Sequence, residues 1–200
     1  GSYIGMMVVF CGMFAVSAKY LWQNYKAIYL SIVGGVVAFA TTAILLVSSL
    51  RARVLSIFAM RQDSSNSFRF NVYHSSVDMF KDNWLLGIGV GNQNFREIYG
   101  LYMKTGFDAL SAYNIFLEIA VESGLFALIA FVGFLITLIK NSVKFILKSA
   151  DTKSVIFVAT ALISICAVCI HGLVDTVFFR PQIQFVFWTM VAIARTIVVE

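Results

Sequence analysis

Leu110-Ser-Ala-Tyr-Asn-Ile-Phe-Leu-Glu118-Ile-Ala-Val-Glu122-Ser-Gly124-Leu-Phe-Ala-Leu-Ile-Ala-Phe-Val-Gly-Phe-Leu-Ile-Thr-Leu-Ile139 is the stretch on which the fold turns. Glu118 and Glu122 are its only charged residues, and everything from Gly124 to Ile139 is free of charge. A bilayer core needs about 20 mostly apolar helical residues, with a working range of about 17–25. The stretch is long enough to cross, and it is not alone. Ala27–Leu50 is a clean span ended by Arg51 and Arg53, Ser154–Ile170 is another, and Ile183–Val199 is a third with Arg195 near its end. Tyr3–Ala18 is charge-free but slightly short. Five spans are expected.

Composition points the same way. The chain has 200 residues, of which 60% are apolar and 12% charged, against about 45–50% and about 25% in average proteins. Mean hydropathy is +0.87. A soluble globule could not cover its surface with so few charges. One proline and 19 phenylalanines suit long helices rather than a turn-rich β fold. The expected fold is all-α, a polytopic transmembrane helix bundle with a large extracytoplasmic loop containing an amphipathic helix.

The net charge of +5 does not signal nucleic acid, because the basic residues form no single stripe with interleaved aromatics. It reports orientation instead. With five spans, one side receives the short loops holding Lys19, Lys26, Lys140, Lys144, Lys148 and Lys153, with Asp151 and Glu200 as their only acids. The other side receives the long 51–109 segment and the Asp175–Gln182 loop, where eight basic residues mix with six acids. Lys and Arg in short loops mark the cytoplasmic side. The long segment is therefore expected in the periplasm or exterior, and the protein in the inner (plasma) membrane.

The chain divides into two spans over 1–50, a periplasmic loop over 51–112 and three spans over 113–200. Its start inside an apolar run, without a basic n-region or a cleavage site, reads as the continuation of a longer parent rather than a signal peptide. Ser67–Phe80 carries Phe68, Val72, Ser76 and Met79/Phe80 at roughly helical spacing. That spacing predicts an amphipathic helix lying on the membrane surface. Cys166-Ala-Val-Cys169 lies inside an apolar run and reads as a helix face rather than a redox motif.

Leu86-Gly-Ile-Gly-Val-Gly-Asn92 is the densest glycine cluster. It follows no strand of a βαβ unit, so it is not a nucleotide fingerprint. Gly87, Gly89 and Gly91 read either as a tight turn or as an anion-binding nest of backbone N–H groups. Arg69 and Arg96 flank it, with Tyr73, His74 and Trp84 near. An arginine fork suits phosphate, diphosphate or carboxylate, and the competing reading is anchoring at the headgroup level. Glu118 and Glu122 share a helix face, roughly 12 and 18 Å into a span beginning at Leu110, at 1.5 Å per residue. Ionisable groups at such depth normally face a cavity or a partner. If the span begins at Gly124 instead, they belong to an amphipathic turn before it. His171, Asp175 and Arg180 gather at the end of the fourth span, as a structural clip or a polar site. No Walker, zinc or serine-hydrolase motif occurs, so no metal and no cofactor are expected.

Asn83-Trp-Leu-Leu-Gly-Ile-Gly-Val-Gly-Asn-Gln-Asn-Phe95, Leu110-Ser-Ala-Tyr-Asn-Ile-Phe-Leu-Glu118 and Glu122-Ser-Gly-Leu125 resemble the O-antigen ligase and polymerase superfamily, over roughly 67–191. The resemblance implies a large periplasmic loop carrying the site residues. It also implies metal-independent transfer of a glycan from an undecaprenyl-diphosphate carrier, with arginines on the diphosphate and a histidine acting on the acceptor. Arg69 matches an arginine position of that loop. The histidine position is occupied by Tyr113, before Asn114, and a phenol with a pKa near 10 is a poorer base at neutral pH. Ser111-Ala-Tyr113, Phe116-Leu-Glu118 and His171-Gly-Leu-Val-Asp-Thr-Val-Phe-Phe-Arg-Pro181 are also similar to a cyanobacterial branch named as inorganic-carbon (bicarbonate) transporters. That likeness implies a small anion held by Arg69, Arg96 and the glycine turn. The leading expectation is bicarbonate transport. The alternative is lipid-linked glycan transfer or polymerisation, with Arg69 and Tyr113 in catalysis, and a third is a non-catalytic membrane subunit.

Overall fold

A computed structural model describes residues 12, 25–48, 51 and 64–199. The chain forms two compact units, one of Phe14–Phe68 and one of Gly1–Met13 with Arg69–Glu200. Among the described residues all regular structure is helical, as the composition requires.

In the first unit, α1 (Lys26–Leu46) runs 21 residues, about 31 Å at 1.5 Å per residue. It falls on the span expected at Ala27–Leu50. Two of its hydroxyls bond locally: Ser31 donates to the Ala27 carbonyl at 2.9 Å and Thr41 to the Val37 carbonyl at 2.8 Å. The span expected at Tyr3–Ala18 lies outside the described residues except for Gly12.

The body of the second unit is three long apolar helices, α4 (Ile115–Lys148), α5 (Thr152–His171) and α6 (Pro181–Val199). Each is long and apolar enough to cross a membrane. They account for three of the five expected spans. Asn114 caps α4 by accepting from the Phe116 and Leu117 amides at 3.0 and 3.1 Å. Asp151 caps α5 by accepting from Lys153 and Ser154. These are ordinary side-chain caps for orphan N–H groups. Pro181 opens α6, where its missing N–H is no loss.

Ile115, Leu135, Leu138, Ala161, Ile165, Phe187, Val191 and Ala194 form the shared core. Phe178 plugs its end from a 3-10 turn, Val177–Phe179, packing edge-on against Phe187 at 5.0 Å and Phe131 at 5.8 Å. Such aromatic pairs add about 0.5–1.5 kcal/mol beyond area burial.

Two shorter helices, α2 (Ser64–Asp82) and α3 (Asn92–Tyr99), occupy the segment before α4. The helix expected at Ser67–Phe80 is present. Its apolar face is covered by protein, with Val72, Ser76 and Met79 at 0% exposure, so that face is not laid on a lipid surface. Phe95 and Tyr99 on α3 are also fully buried and stack at 5.4 Å.

α4 has 34 residues, about 51 Å of helix against a hydrocarbon core of about 30 Å. It is broken at Gly124, whose φ of 80° and ψ of −179° are not helical. The break separates a first segment, carrying Glu118 and Glu122, from a charge-free stretch over 124–139. Of the two boundaries left open by the sequence, the backbone marks Gly124.

Candidate functional site

The glycine turn and the broken helix explain each other. In an unbroken α4 the Leu125 amide would donate to the Val121 carbonyl. At the break Leu125 N donates to Trp84 O at 2.8 Å instead, and Val121 O accepts from Ile88 N at 2.9 Å. Gly89 N donates to Glu122 O at 3.0 Å, and Gly91 N to the Glu122 carboxylate at 3.2 Å. The loop thus supplies partners that the helix has lost, as buried backbone groups demand.

This exchange needs glycine on both sides. Gly87 has a φ of 72°, and a Cβ there would land on the Glu122 carbonyl and 2.6 Å from the Ser123 amide nitrogen. A Cβ on Gly124 would meet the Leu85 carbonyl oxygen, with the Leu85 carbonyl carbon at 2.6 Å. With Gly87 N donating to Asn83 O at 2.9 Å, all three glycine amides are engaged by the protein. Of the two readings of Gly87, Gly89 and Gly91, this geometry serves the turn.

Glu118 and Glu122 are buried, at 1% and 4% exposure. Glu122 grips the turn through Gly91. The Glu118 carboxylate lies beside Ser111 and Ala112, while its Oε2 has no partner among the described residues. Glu122 therefore pins the turn that precedes the span, and Glu118 is buried beside the 111–112 segment.

A second polar cluster lies where the start of α4 meets the end of α5. Ile115 N donates to Gly172 O at 2.7 Å and Asn114 Nδ2 to Leu173 O at 3.2 Å. From α2, the Tyr73 hydroxyl lies 3.2 Å from Tyr113 O and 3.0 Å from Leu173 O, donating its one proton between them. Three elements meet at this phenol. Burial pushes its pKa up, opposed by the nearby Arg69 charge and helped by Asp175, so it stays a donor at neutral pH. Arg69 stands one helical turn before Tyr73, and among the described residues it makes no ion pair.

Tyr113 carries the one positive φ of a non-glycine described residue, 51°. Such a backbone costs of order 1–3 kcal/mol and persists where its surroundings hold it. Its carbonyl is held by Tyr73. Close by in the chain from Gly172 and Leu173, His171 Nε2 lies 3.8 Å from Asp175 Oδ2. That nitrogen is buried and without a hydrogen bond among the described residues. Asp175 also accepts from the Thr176 amide at 2.8 Å, and Arg180 is within electrostatic reach of His171.

Arg69, Tyr113, His171, Asp175 and Arg180 are thus linked into one neighbourhood through Tyr73, Gly172 and Leu173. Among the described residues no bond ties Arg96 to it. It sits exposed on α3 and pairs with Asp108 at 3.2 Å. The sequence had named Tyr73 only as a neighbour, although it is the bridging donor. Asn114 was also missed, and its signal was legible: an asparagine directly before an apolar periodic run marks a helix N-cap.

Among curated proteins, none matches the chain. The family described as O-antigen ligase matches it over residues 1–132, which takes in α2, α3, the glycine turn, Tyr113 and the break at Gly124. The chain, a membrane protein by its helices, belongs to the O-antigen ligase family.

Proposed function

We propose that the chain transfers or polymerises a glycan from an undecaprenyl-diphosphate carrier, at the neighbourhood bridged by Tyr73. The observation that carries this is the convergence of Arg69, without an ion pair among the described residues, with the His171–Asp175 pair around the strained Tyr113. In the reaction the acceptor hydroxyl oxygen attacks the anomeric carbon, the bond from that carbon to the diphosphate oxygen breaks, and undecaprenyl diphosphate leaves. Arg69 neutralises the leaving diphosphate, for which a guanidinium fork is suited. Arg180 adds positive charge at the same end of the bundle.

A proton must leave the acceptor, and Tyr113 stands where the ligase pattern has histidine. His171 takes that proton on a ring nitrogen in our reading, and Asp175 stabilises the imidazolium formed. The base is then supplied by the end of α5 rather than the start of α4. The transfer site faces the periplasm, on the side opposite the Lys-rich loops.

Bicarbonate transport has less behind it. Glu118 and Glu122 are buried, Glu122 bonded to Gly91 of the turn and Glu118 beside the 111–112 segment. That suits structural pins better than groups lining an ion path. The two readings separate in one experiment. The full-length protein in proteoliposomes, given an undecaprenyl-diphosphate-linked glycan and an acceptor glycan, is expected to release undecaprenyl diphosphate. Bicarbonate uptake without such release would overturn glycan transfer.

A further inference from the structure

At the other end of the same bundle, α4 and α6 leave a groove that the transfer reading does not use. Its outer part, about 520 Å³, is lined by Asn141, Lys144, Lys148, Ser149 and Arg195 among others. Its inner part, about 400 Å³, is lined by Ala130, Gly133, Phe134, Thr137 and Leu138, and Arg195 lines both. The two parts therefore share Arg195 in their walls.

The inner walls are apolar. Thr137 donates its hydroxyl to the Gly133 carbonyl at 2.8 Å, which removes it as a polar group. Among the described residues nothing lies within 4 Å of where a Gly133 Cβ would be, so the groove floor is open to them there. From Ala130 to Lys148 the lining follows one stripe of α4, about 27 Å long at 1.5 Å per residue.

The outer part carries three cations and, among the described lining residues, no acid. Lys144, Lys148 and Arg195 form no ion pair among the described residues. Arg195 lies four residues inside the end of α6, within an apolar helix. A guanidinium so placed calls for an anion. The groove thus offers positive charge at its mouth and a hydrocarbon slot beneath.

We infer that this groove binds an anionic glycerophospholipid, its phosphate held by Lys144, Lys148 and Arg195 and one acyl chain lying along Ala130–Leu138. Basic pockets between membrane helices take such headgroups. The bundle-end location decides between lipid sources. The polyprenyl diphosphate of the proposed reaction belongs with Arg69 and His171, at the opposite ends of α4 and α5. The lipid bound here is a resident of the leaflet and not the glycan donor.

Native mass spectrometry of the full-length protein, titrated with phosphatidylglycerol, phosphatidylcholine, polyprenyl monophosphate or inorganic phosphate, tests this. Phosphatidylglycerol is expected to bind at least ten-fold more tightly than phosphatidylcholine. Lys148→Gln and Arg195→Gln should each weaken it roughly five-fold. Lys153→Gln, outside the groove, should leave it unchanged. Gly133→Leu should weaken phosphatidylglycerol by filling the slot while leaving all three cations in place, which keeps the inference testable if a charge variant fails to fold. Equal binding of the two phospholipids, or no effect of Arg195→Gln and Gly133→Leu, would overturn it. Displacement of phosphatidylglycerol by inorganic phosphate alone, or by polyprenyl monophosphate at lower concentration, would likewise overturn the assignment to a leaflet phospholipid.

Discussion

Replacing Gly124 by alanine tests the loop-and-helix exchange at its tightest point. The backbone there, with φ at 80° and ψ at −179°, lies in a region essentially reserved for glycine and costs another residue about 1–3 kcal/mol. The new Cβ would also strike the Leu85 carbonyl. Relief requires the loop to move off, which breaks the bonds Leu125 N to Trp84 O, Ile88 N to Val121 O and Gly89 N to Glu122 O. Three such bonds contribute together roughly 1.5–4.5 kcal/mol. An opening penalty of at least about 2.5 kcal/mol should disappear, and about 1.4 kcal/mol is a factor of ten. Hydrogen exchange of the 84–91 and 121–125 amides should therefore quicken by roughly 60-fold or more. Gly34→Ala is the control, because among the described residues nothing lies within 4 Å of its Cβ position on α1. Unchanged exchange in Gly124→Ala would refute the claim that glycine is needed for the loop to seat in the helix break.

Tyr73→Phe should destabilise the protein by about 1–3 kcal/mol, since two carbonyls lose their shared donor, as read by thermal melts in detergent. Because burial raises the Tyr73 pKa, its contribution is fully present below the unfolded value near 10 and is lost as pH rises through the higher folded value. The wild type should therefore show a stability loss above about pH 10 that Tyr73→Phe lacks. Asn114→Ala should cost about 0.5–2 kcal/mol of helix-cap stability, and Asn114→Ser should recover most of it. Tyr113→His should be tolerated, because histidine is among the residues enriched at positive φ, and a rise in transfer rate would show that an added imidazole can act there.

The spans were legible because bilayer burial is written in uninterrupted apolar runs, as at Ser154–Ile170, where α5 follows with shifts of one or two residues. Glu118 and Glu122 stood out for the same reason, as charges in an apolar stretch. What they do was not legible. Their neighbours, Ser111, Ala112 and Gly91, are brought to them by loop geometry that no periodicity encodes. The glycine turn was visible as a turn, yet its seat in the break at Gly124 depends on two distant glycines meeting in space. Arg69 and Arg96 looked equivalent beside the turn, and their surroundings tell them apart: Asp108 pairs with Arg96, while Arg69 acts on Tyr73. Tyr73 was hidden for a general reason: an aromatic on a mixed helix reads as packing, and its hydroxyl shows a role only once both carbonyl partners are placed.

The most direct test of glycan transfer at the Tyr73-bridged site is release of undecaprenyl diphosphate by the full-length protein in proteoliposomes, comparing wild type with His171→Gln and Arg69→Ala. General-base removal typically lowers rates about 10²–10⁴-fold, so release by His171→Gln should fall by at least about 100-fold with its melting temperature kept, and Arg69→Ala should fall as well. Wild-type release that survives both substitutions undiminished would contradict the assignment.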